Sequence, residues 1–148
     1  MVGLLEIKPN LHEFFQEKVE NIPNCEKNTK SYVASIFSKL NKENEDLSKE
    51  SITIVYAQAK FQYKFELFQK IGDWILFTKS LYPSFLKDAS SEYYDTIAQC
   101  SYYKCYRIVN KQWPLFEELA DTFPSVVTHM QNELLNSTKS PTLFYRFL

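Results

Sequence analysis

Aromatic side chains are concentrated in one part of this 148-residue sequence. The stretch from Ile52 to Tyr106 holds 14 Phe, Tyr and Trp residues in 55 positions, and Gly72 is its one glycine. Each of these side chains buries roughly 150–250 Å² when it packs, so they belong in a core or at an interface. The shortage of glycine also disfavours a sheet built on tight hairpin turns. The stretch therefore predicts packed helices with an aromatic core.

Composition places the whole chain, residues 1–148, in the class of single globular domains, with 45% hydrophobic and 24% charged residues. Seventeen basic and 18 acidic side chains nearly cancel, which argues against a nucleic-acid partner because such a partner selects for uncompensated Lys and Arg. No apolar run is long enough to cross a membrane, and the N-terminus does not resemble a signal peptide. Three cysteines cannot all pair within the chain, so we expect a reducing, cytoplasmic location.

Apolar residues at helical spacing predict helices along most of the chain. The first helix is expected to begin near Asn10, after Pro9, and the second to be capped by Thr29 or Ser31. The segment from Asn41 to Glu50 is rich in charge and is predicted to be a solvated connection.

The segment from Lys49 to Tyr82 is the centre of the predicted fold. Its apolar positions cover almost the full circumference of a helix, which is typical of a helix buried on most sides. Gly72 and Asp73 are predicted to mark a kink or a break between two helices. We therefore expect an all-α fold, an irregular bundle of six or seven helices around a long, largely buried, aromatic-rich segment.

The remaining helices are predicted from their end signals. Ser90 or Ser91 is expected to cap one helix, and Asn110 to close it in a left-handed conformation. Pro114 and Pro124 are each expected to open a further helix, because proline suits the first helical turn.

The polar residues form no recognised catalytic or metal-binding pattern. His12 and His129 are far apart in sequence, and Cys100 and Cys105 lie about 140° apart around a helix, so neither pair predicts a metal site. There is no Glu-x-x-His pair, no Gly-x-Ser-x-Gly turn and no phosphate-binding glycine loop. The sequence therefore predicts no catalytic residue, no metal and no cofactor, and an enzyme is the least favoured class.

Asp73 is an acidic residue in an otherwise apolar stretch, where an unpaired carboxylate is costly. One interpretation is that it caps a helix that begins at Trp74. The other is that it binds a ligand or a cation of a partner.

Tyrosines on the predicted Ser90–Asn110 helix suggest a second contact surface. Tyr103 and Tyr106 fall on the face opposite the main apolar stripe, and exposed aromatic clusters are typical of interaction sites. A symmetric dimer would cover them. The alternative is that the apolar tail, Leu143–Leu148, docks over them.

Several blocks of the sequence resemble, in order, a family of bacterial hypothetical proteins whose signature is Gly-Asp, then Leu-aromatic, then aromatic-Pro, and then paired tyrosines. The blocks are Leu11–Phe15, Ile71–Phe77, Tyr82–Leu86, Tyr93-Tyr94 with Tyr102, and Phe116–Ala120 with Phe123-Pro124. The resemblance implies a soluble, bacterial, helical protein and implies no activity.

Two functions follow from these observations. The leading hypothesis is a non-enzymatic cytoplasmic protein that acts through contact with a protein partner or with itself, as in a homodimer. The alternative is a small-molecule-binding domain with an aromatic pocket around Asp73 and the helix of Tyr94 and Tyr102. The candidate pocket or interface residues are Asp73, Tyr82, Tyr93, Tyr94, Tyr102, Tyr103 and Tyr106.

Overall fold

The computed structural model describes residues 2–40, 49–86 and 89–137, and all the regular structure in these ranges is helical. The elements are α1 (Val2–Val19), α2 (Lys27–Leu40), α3 (Lys49–Gln62), α4 (Phe65–Leu81), a short 3-10 helix (Pro83–Leu86), α5 (Ser91–Ile108) and α6 (Pro114–Ser137). The predicted all-α bundle is confirmed. Within these ranges, no helix has both the length and the apolar character needed to cross a membrane. Most of the predicted charged connection and the apolar tail lie outside the described residues.

α1 and α2 form an antiparallel pair in which the rings of Phe15 and Phe37 lie 5.3 Å apart. α1 begins at Val2, so the prediction that it begins near Asn10 was wrong. Proline holds φ near the helical value and removes one N–H donor, so Pro9 weakens a helix without forbidding the turns before it.

The start of α2 is stabilised by a contact from a distant part of the chain. Thr29 and Ser31 lie inside the helix, so the prediction that one of them caps it was wrong. Instead, the carboxylate of Glu118 in α6 accepts a hydrogen bond from the backbone N–H of Glu26, at 2.7 Å. A tertiary partner therefore satisfies a backbone donor at this helix start.

α4 lies at the centre of the bundle, in contact with α2, α3, α5 and α6. α5 runs antiparallel to it: Lys79 pairs with Asp95 near one end, and the thiol of Cys105 approaches the carbonyl oxygen of Phe65 near the other. α6 contributes Gln131, whose amide donates to the carbonyl oxygen of Lys79 at 2.8 Å.

The break between α3 and α4 falls at Tyr63 and Lys64, with φ of 53° at Tyr63 and an extended conformation at Lys64. Of the kink or break predicted at Gly72 and Asp73, the break was wrong, because both residues lie within α4. A left-handed tyrosine is strained, but its ring packs 6.1 Å from that of Phe68, and the ammonium of Lys104 lies over it. Packing therefore offsets the cost of the break.

α3 packs on α4 with one face only. Ile52 and Ala59 on that face are fully buried, whereas Ile54 and Phe61 on the outer face are 58% and 92% exposed. The prediction that the whole segment is buried on most sides holds for α4 and is wrong for α3.

The predicted ends of α5 are confirmed. The hydroxyl of Ser90 accepts the backbone N–H of Tyr93, at 3.1 Å. At the other end Asn110 has φ of 55°, and the N–H of Lys111 donates to the carbonyl of Tyr106 at 2.9 Å. This hydrogen bond and the left-handed Asn110 form the Schellman arrangement that commonly closes a helix.

α6 is one continuous helix that contains Pro124, so the prediction of two helices was wrong. A proline inside a helix leaves the carbonyl four residues earlier without its usual donor. That carbonyl belongs to Ala120, and it accepts a hydrogen bond from the side-chain amide of Gln99 in α5, at 2.9 Å. The neighbouring helix thus replaces the donor that the proline lacks.

Candidate functional site

A polar cluster at the centre of the bundle joins α2, α4 and α5. The hydroxyl of Tyr32 lies 2.9 Å and 2.8 Å from the two carboxylate oxygens of Asp73, and the hydroxyl of Tyr102 donates to Oδ1 at 2.8 Å. The amide of Gln69, one turn before Asp73, donates to the hydroxyl oxygen of Tyr32 at 2.8 Å. Asp73 lies within α4, so the prediction that it caps a helix was wrong.

Gly72 makes the contact between Tyr102 and α4 possible. A Cβ atom at this position would lie 2.8 Å from both Cε1 and Cζ of the Tyr102 ring, which is closer than two carbon atoms can pack. Without that atom the ring lies directly against the backbone of α4, and its hydroxyl reaches the next residue, Asp73. The Gly-Asp dipeptide therefore acts as one unit: the glycine admits the ring, and the aspartate binds its hydroxyl.

Aromatic rings from α6 enclose the cluster. The ring of Phe116 lies 5.3 Å from that of Tyr32 in an edge-to-face arrangement and 6.2 Å from that of Tyr102 in a stacked one. Phe123 also lies 6.2 Å from Tyr102. The polar cluster thus has an apolar wall, which strengthens its hydrogen bonds and makes an unpaired charge costly.

The carboxyl group of Asp73 has a strongly shifted pKa. Part of the residue's surface is still accessible to solvent, but protein atoms surround the carboxylate, and this desolvation raises its pKa from 3.8 to about 7. The hydrogen bonds from Tyr102 and Tyr32 and the charge of Lys39 act in the opposite direction without cancelling the effect of burial.

The groups around Asp73 are held in their neutral forms. Burial and the nearby carboxylate raise the pKa of both Tyr32 and Tyr102. The same two causes raise the pKa of the Cys105 thiol, so this cysteine is inert as a nucleophile near neutral pH. Asp73 is therefore the member of the cluster that changes charge near neutral pH.

The structure brings together two of the predicted site residues, Asp73 and Tyr102. Tyr82 lies elsewhere, beyond the end of α4, where its ring stacks on that of Phe85 at 5.4 Å. Tyr82 was expected to share a pocket with Asp73, and the structure does not place it there.

The other predicted tyrosines lie along α5. Tyr93 bonds to the hydroxyl of Thr53 in α3, and its ring contacts that of the buried Tyr94 at 5.3 Å. Tyr103 and Tyr106 lie with their rings 6.2 Å apart; Tyr103 is 44% exposed and Tyr106 is half-buried.

Sequence reasoning missed Tyr32 and Gln69 as partners of Asp73. Tyr32 lies 41 residues before Asp73 in the chain, and its position on the apolar face of α2 is typical of an ordinary core residue. The available signal was the cost of leaving Asp73 unpaired, which called for hydroxyl or amide donors on neighbouring helices. Gln69, one turn away on the same helix, meets that description.

Two cavities lie away from this cluster. One, of about 320 Å³, lies where α2 and α6 begin, and Thr29, Trp113 and Glu118 are among its lining residues. The other, of about 500 Å³, is lined by residues of α6 such as His129 and by Pro23. Neither is lined by Asp73 or Tyr102.

Comparisons with protein-family models, with curated proteins and with solved structures find no match. The resemblance to a bacterial family therefore stays a prediction. Across residues 2–40, 49–86 and 89–137, no group of three or more His, Cys, Asp or Glu side chains is arranged to hold a metal ion.

Proposed function

We propose that this protein is non-enzymatic and acts through protein contact, by self-association of the outer face of α3. The observation that carries the proposal is the exposure of Phe61 and Ile54, at 92% and 58%, on a helix whose opposite face holds the fully buried Ile52 and Ala59. Exposed apolar residues on one helix face are typical of interaction sites.

The outer face of α3 is defined here by Ile54, Ala57, Gln58 and Phe61. These residues are all exposed, and Ile54 and Phe61 are seven positions apart, so both lie on the same side of the helix two turns from each other. Lys60 is the one charged residue between positions 51 and 63, and its ammonium lies over the ring of Tyr56, 5.0 Å from the centroid. The outer face therefore has no charge of its own.

The arrangement of this face suits a second copy of the same chain. If two α3 helices pack antiparallel about an axis between positions 57 and 58, Ile54 of each copy lies opposite Phe61 of the other. Ala57 of each copy then lies opposite Gln58 of the other, so the small side chain leaves room for the longer one. Such self-complementarity is what a two-fold interface requires.

The size of the face sets the expected strength of association. A 14-residue helix is about 20 Å long, and a face about 10 Å wide offers roughly 200 Å². A standard interface uses about 800 Å² from each partner, so α3 alone supports a weak dimer. We expect a micromolar or weaker dissociation constant unless neighbouring surface takes part.

Tyr63 and Tyr103 are candidates for that additional surface. Both rings are partly exposed, and Lys104, next to Tyr103, places its ammonium over Tyr63. Tyr103 and Tyr106, the pair predicted from the sequence, would then extend the interface and not form its centre.

We further infer a cytoplasmic setting, which the three unpaired cysteines favour.

The alternative hypothesis, a small-molecule pocket around Asp73, has weaker support. Each carboxylate oxygen of Asp73 already accepts a hydrogen bond from a tyrosine of the same chain. Neither of the two cavities described above is lined by Asp73 or Tyr102.

The test is sedimentation velocity on the intact chain across a range of concentrations. We expect a reversible monomer–dimer equilibrium that Phe61→Glu, alone or with Ile54→Glu, shifts to monomer. Leu135→Glu is the matched control, since this leucine on α6 is 66% exposed and lies outside the proposed face.

Two outcomes would contradict the proposal. One is a chain that stays monomeric at all concentrations. The other is a dimer that survives Phe61→Glu but dissociates on Tyr103→Glu with Tyr106→Glu, which would move the interface to α5.

A further inference from the structure

The cavity of about 320 Å³ at the start of α2 and α6 has features of a ligand site. Its volume lies at the lower end of the range typical of small-molecule pockets. It corresponds to the space of about ten water molecules. A molecule with a ring and a short side chain fits this volume.

One wall of the cavity is aromatic. Trp113 lines it and is 50% exposed. The indole is held edge-to-face by Phe65, at 5.7 Å, and lies 6.1 Å from Phe116. Because these rings fix its orientation, the indole offers a preformed surface for an apolar body or for a cation.

The polar lining includes an unsatisfied hydroxyl. Thr29 lines the cavity and is almost fully buried, and its Oγ1 has no hydrogen-bond partner among the described residues. Buried hydroxyl groups normally have a partner. A donor supplied by a bound molecule would provide one.

The charge of the lining is negative. Glu26 and Glu118 both contribute to it, which gives two negative charges. The N-termini of α2 and α6 together offset about one of them, at roughly half a positive charge each. No lysine or arginine is among the lining residues, and the ammonium of Lys30 on α2 donates to the carbonyl of Glu20. The lining residues thus carry a net negative charge, which favours a cation over an anion.

We propose that this cavity binds a small organic amine in its protonated form, with the ammonium group at Glu118, Glu26 and Thr29 and the apolar body against Trp113. An ammonium group has three donors, which matches the two carboxylates and the free hydroxyl. This site is independent of the outer face of α3 and of the Asp73 cluster.

The test uses benzylamine, with benzyl alcohol and benzoate as neutral and anionic controls of similar size. Binding to the intact chain is followed by isothermal titration calorimetry and by tryptophan fluorescence, which reports on the half-exposed Trp113. We expect saturable binding of benzylamine with a dissociation constant of about 1 mM, given its eight non-hydrogen atoms. Binding of the two controls should be at least about tenfold weaker, because a hydrogen bond to a charged group is worth that much.

Three variants test the assigned roles. Glu118→Gln retains an oxygen for the N–H of Glu26 and should weaken benzylamine binding about tenfold. Thr29→Val should weaken it about threefold, while leaving the melting temperature equal or higher because an unpaired hydroxyl is removed. Glu117→Gln is the matched control, a neighbouring carboxylate that does not line the cavity, and should bind as the wild type does.

Equal binding of the three probes would overturn the proposal, as would equal effects of Glu118→Gln and Glu117→Gln. Absence of saturable binding by the folded wild-type chain would identify the cavity as a solvent-filled cleft and would also overturn it.

Discussion

α3 and α4 come from the same aromatic-rich stretch and have similar apolar content, yet their surroundings differ. α4 is contacted by four helices, and ten of its 17 residues are buried. α3 packs on α4 and reaches α5 through Thr53 and Tyr93, and its outer face carries Ile54 and Phe61 in the open. A helix that is apolar all round therefore needs neighbours on all sides, but these neighbours need not belong to the same chain.

The two helices also differ in what a polar residue does within them. Asp73 in α4 is covered, so it is bound by two phenols from α2 and α5 and fixes how three helices meet. Lys60 in α3 borders the open face and turns toward the ring of Tyr56. The first arrangement specifies the fold, and the second leaves a neutral surface.

The largest expected difference between α3 and α4 is in the free energy of unfolding that is lost when a phenylalanine is replaced by alanine. Phe68→Ala removes a fully buried side chain of α4 and should lower the free energy of unfolding by about 3–5 kcal/mol. Phe61→Ala, on α3, removes a side chain of the same size that is almost fully exposed and should change it by less than about 0.5 kcal/mol. Urea unfolding at a concentration that favours monomer measures both, and equal costs would show that α3 is covered in the monomer.

The second effect is a pH dependence carried by Asp73. Its pKa is about 7 in the folded chain and about 3.8 when unfolded, so the folded state holds the proton more tightly. The stability associated with protonated Asp73 is fully present below pH 4 and is lost as pH rises through 7. The difference between these two pKa values corresponds to at most about 4 kcal/mol.

The measurement is the difference in unfolding free energy between Asp73→Asn and wild type from pH 4 to pH 8.5. We expect the variant to become more stable relative to wild type as pH rises, since asparagine stays neutral. Asp121→Asn, an exposed carboxyl on α6, is the control. A difference that stays constant with pH would mean that Asp73 ionises without penalty and that α4 does not keep its carboxylate away from water.

A smaller effect is expected from Gly72→Ala. The added Cβ would meet the ring of Tyr102 at 2.8 Å, and moving a packed ring costs about 1–3 kcal/mol. The hydroxyl of Tyr102 would also shift from Asp73, which is visible as a weaker pH dependence in the same unfolding series. If the variant is as stable as wild type, the close approach of α5 to α4 is not needed, and Gly72 has no special role.

Some features of these helices can be predicted from the sequence, and others cannot. The ends of α5 follow from local chemistry at Ser90 and Asn110, because a cap depends on residues within a turn of it. The break at Tyr63 depends on ring packing against Phe68 and on Lys104, which lies far along the chain. Local signals therefore pointed to Gly72, the residue with the weakest helix propensity nearby.

The polar cluster around Asp73 was likewise predictable only in part. The cost of burying Asp73 is readable from its apolar neighbours, so the sequence identified the residue. Its partners Tyr32 and Tyr102 lie on other helices, and only the packing of the bundle decides which tyrosines reach it. Continuous α6 is a further example, since the donor that replaces the missing N–H at Pro124 is Gln99 of α5.

The smallest effect concerns Lys60, the charged residue that borders the outer face of α3. Its ammonium lies 5.0 Å from the centroid of the Tyr56 ring, and such a contact at an exposed site is worth about 0.5–1 kcal/mol. Lys60→Met keeps the apolar stem and should lower the unfolding free energy of the monomer by about 0.5 kcal/mol. Lys60→Arg should retain it. Sedimentation of the same two variants should give tighter self-association for Lys60→Met, because a charge beside the face is gone, and no change for Lys60→Arg. If both variants match wild type in stability and association, then the charge of Lys60 affects neither face of α3, and apolar packing alone explains the difference between α3 and α4.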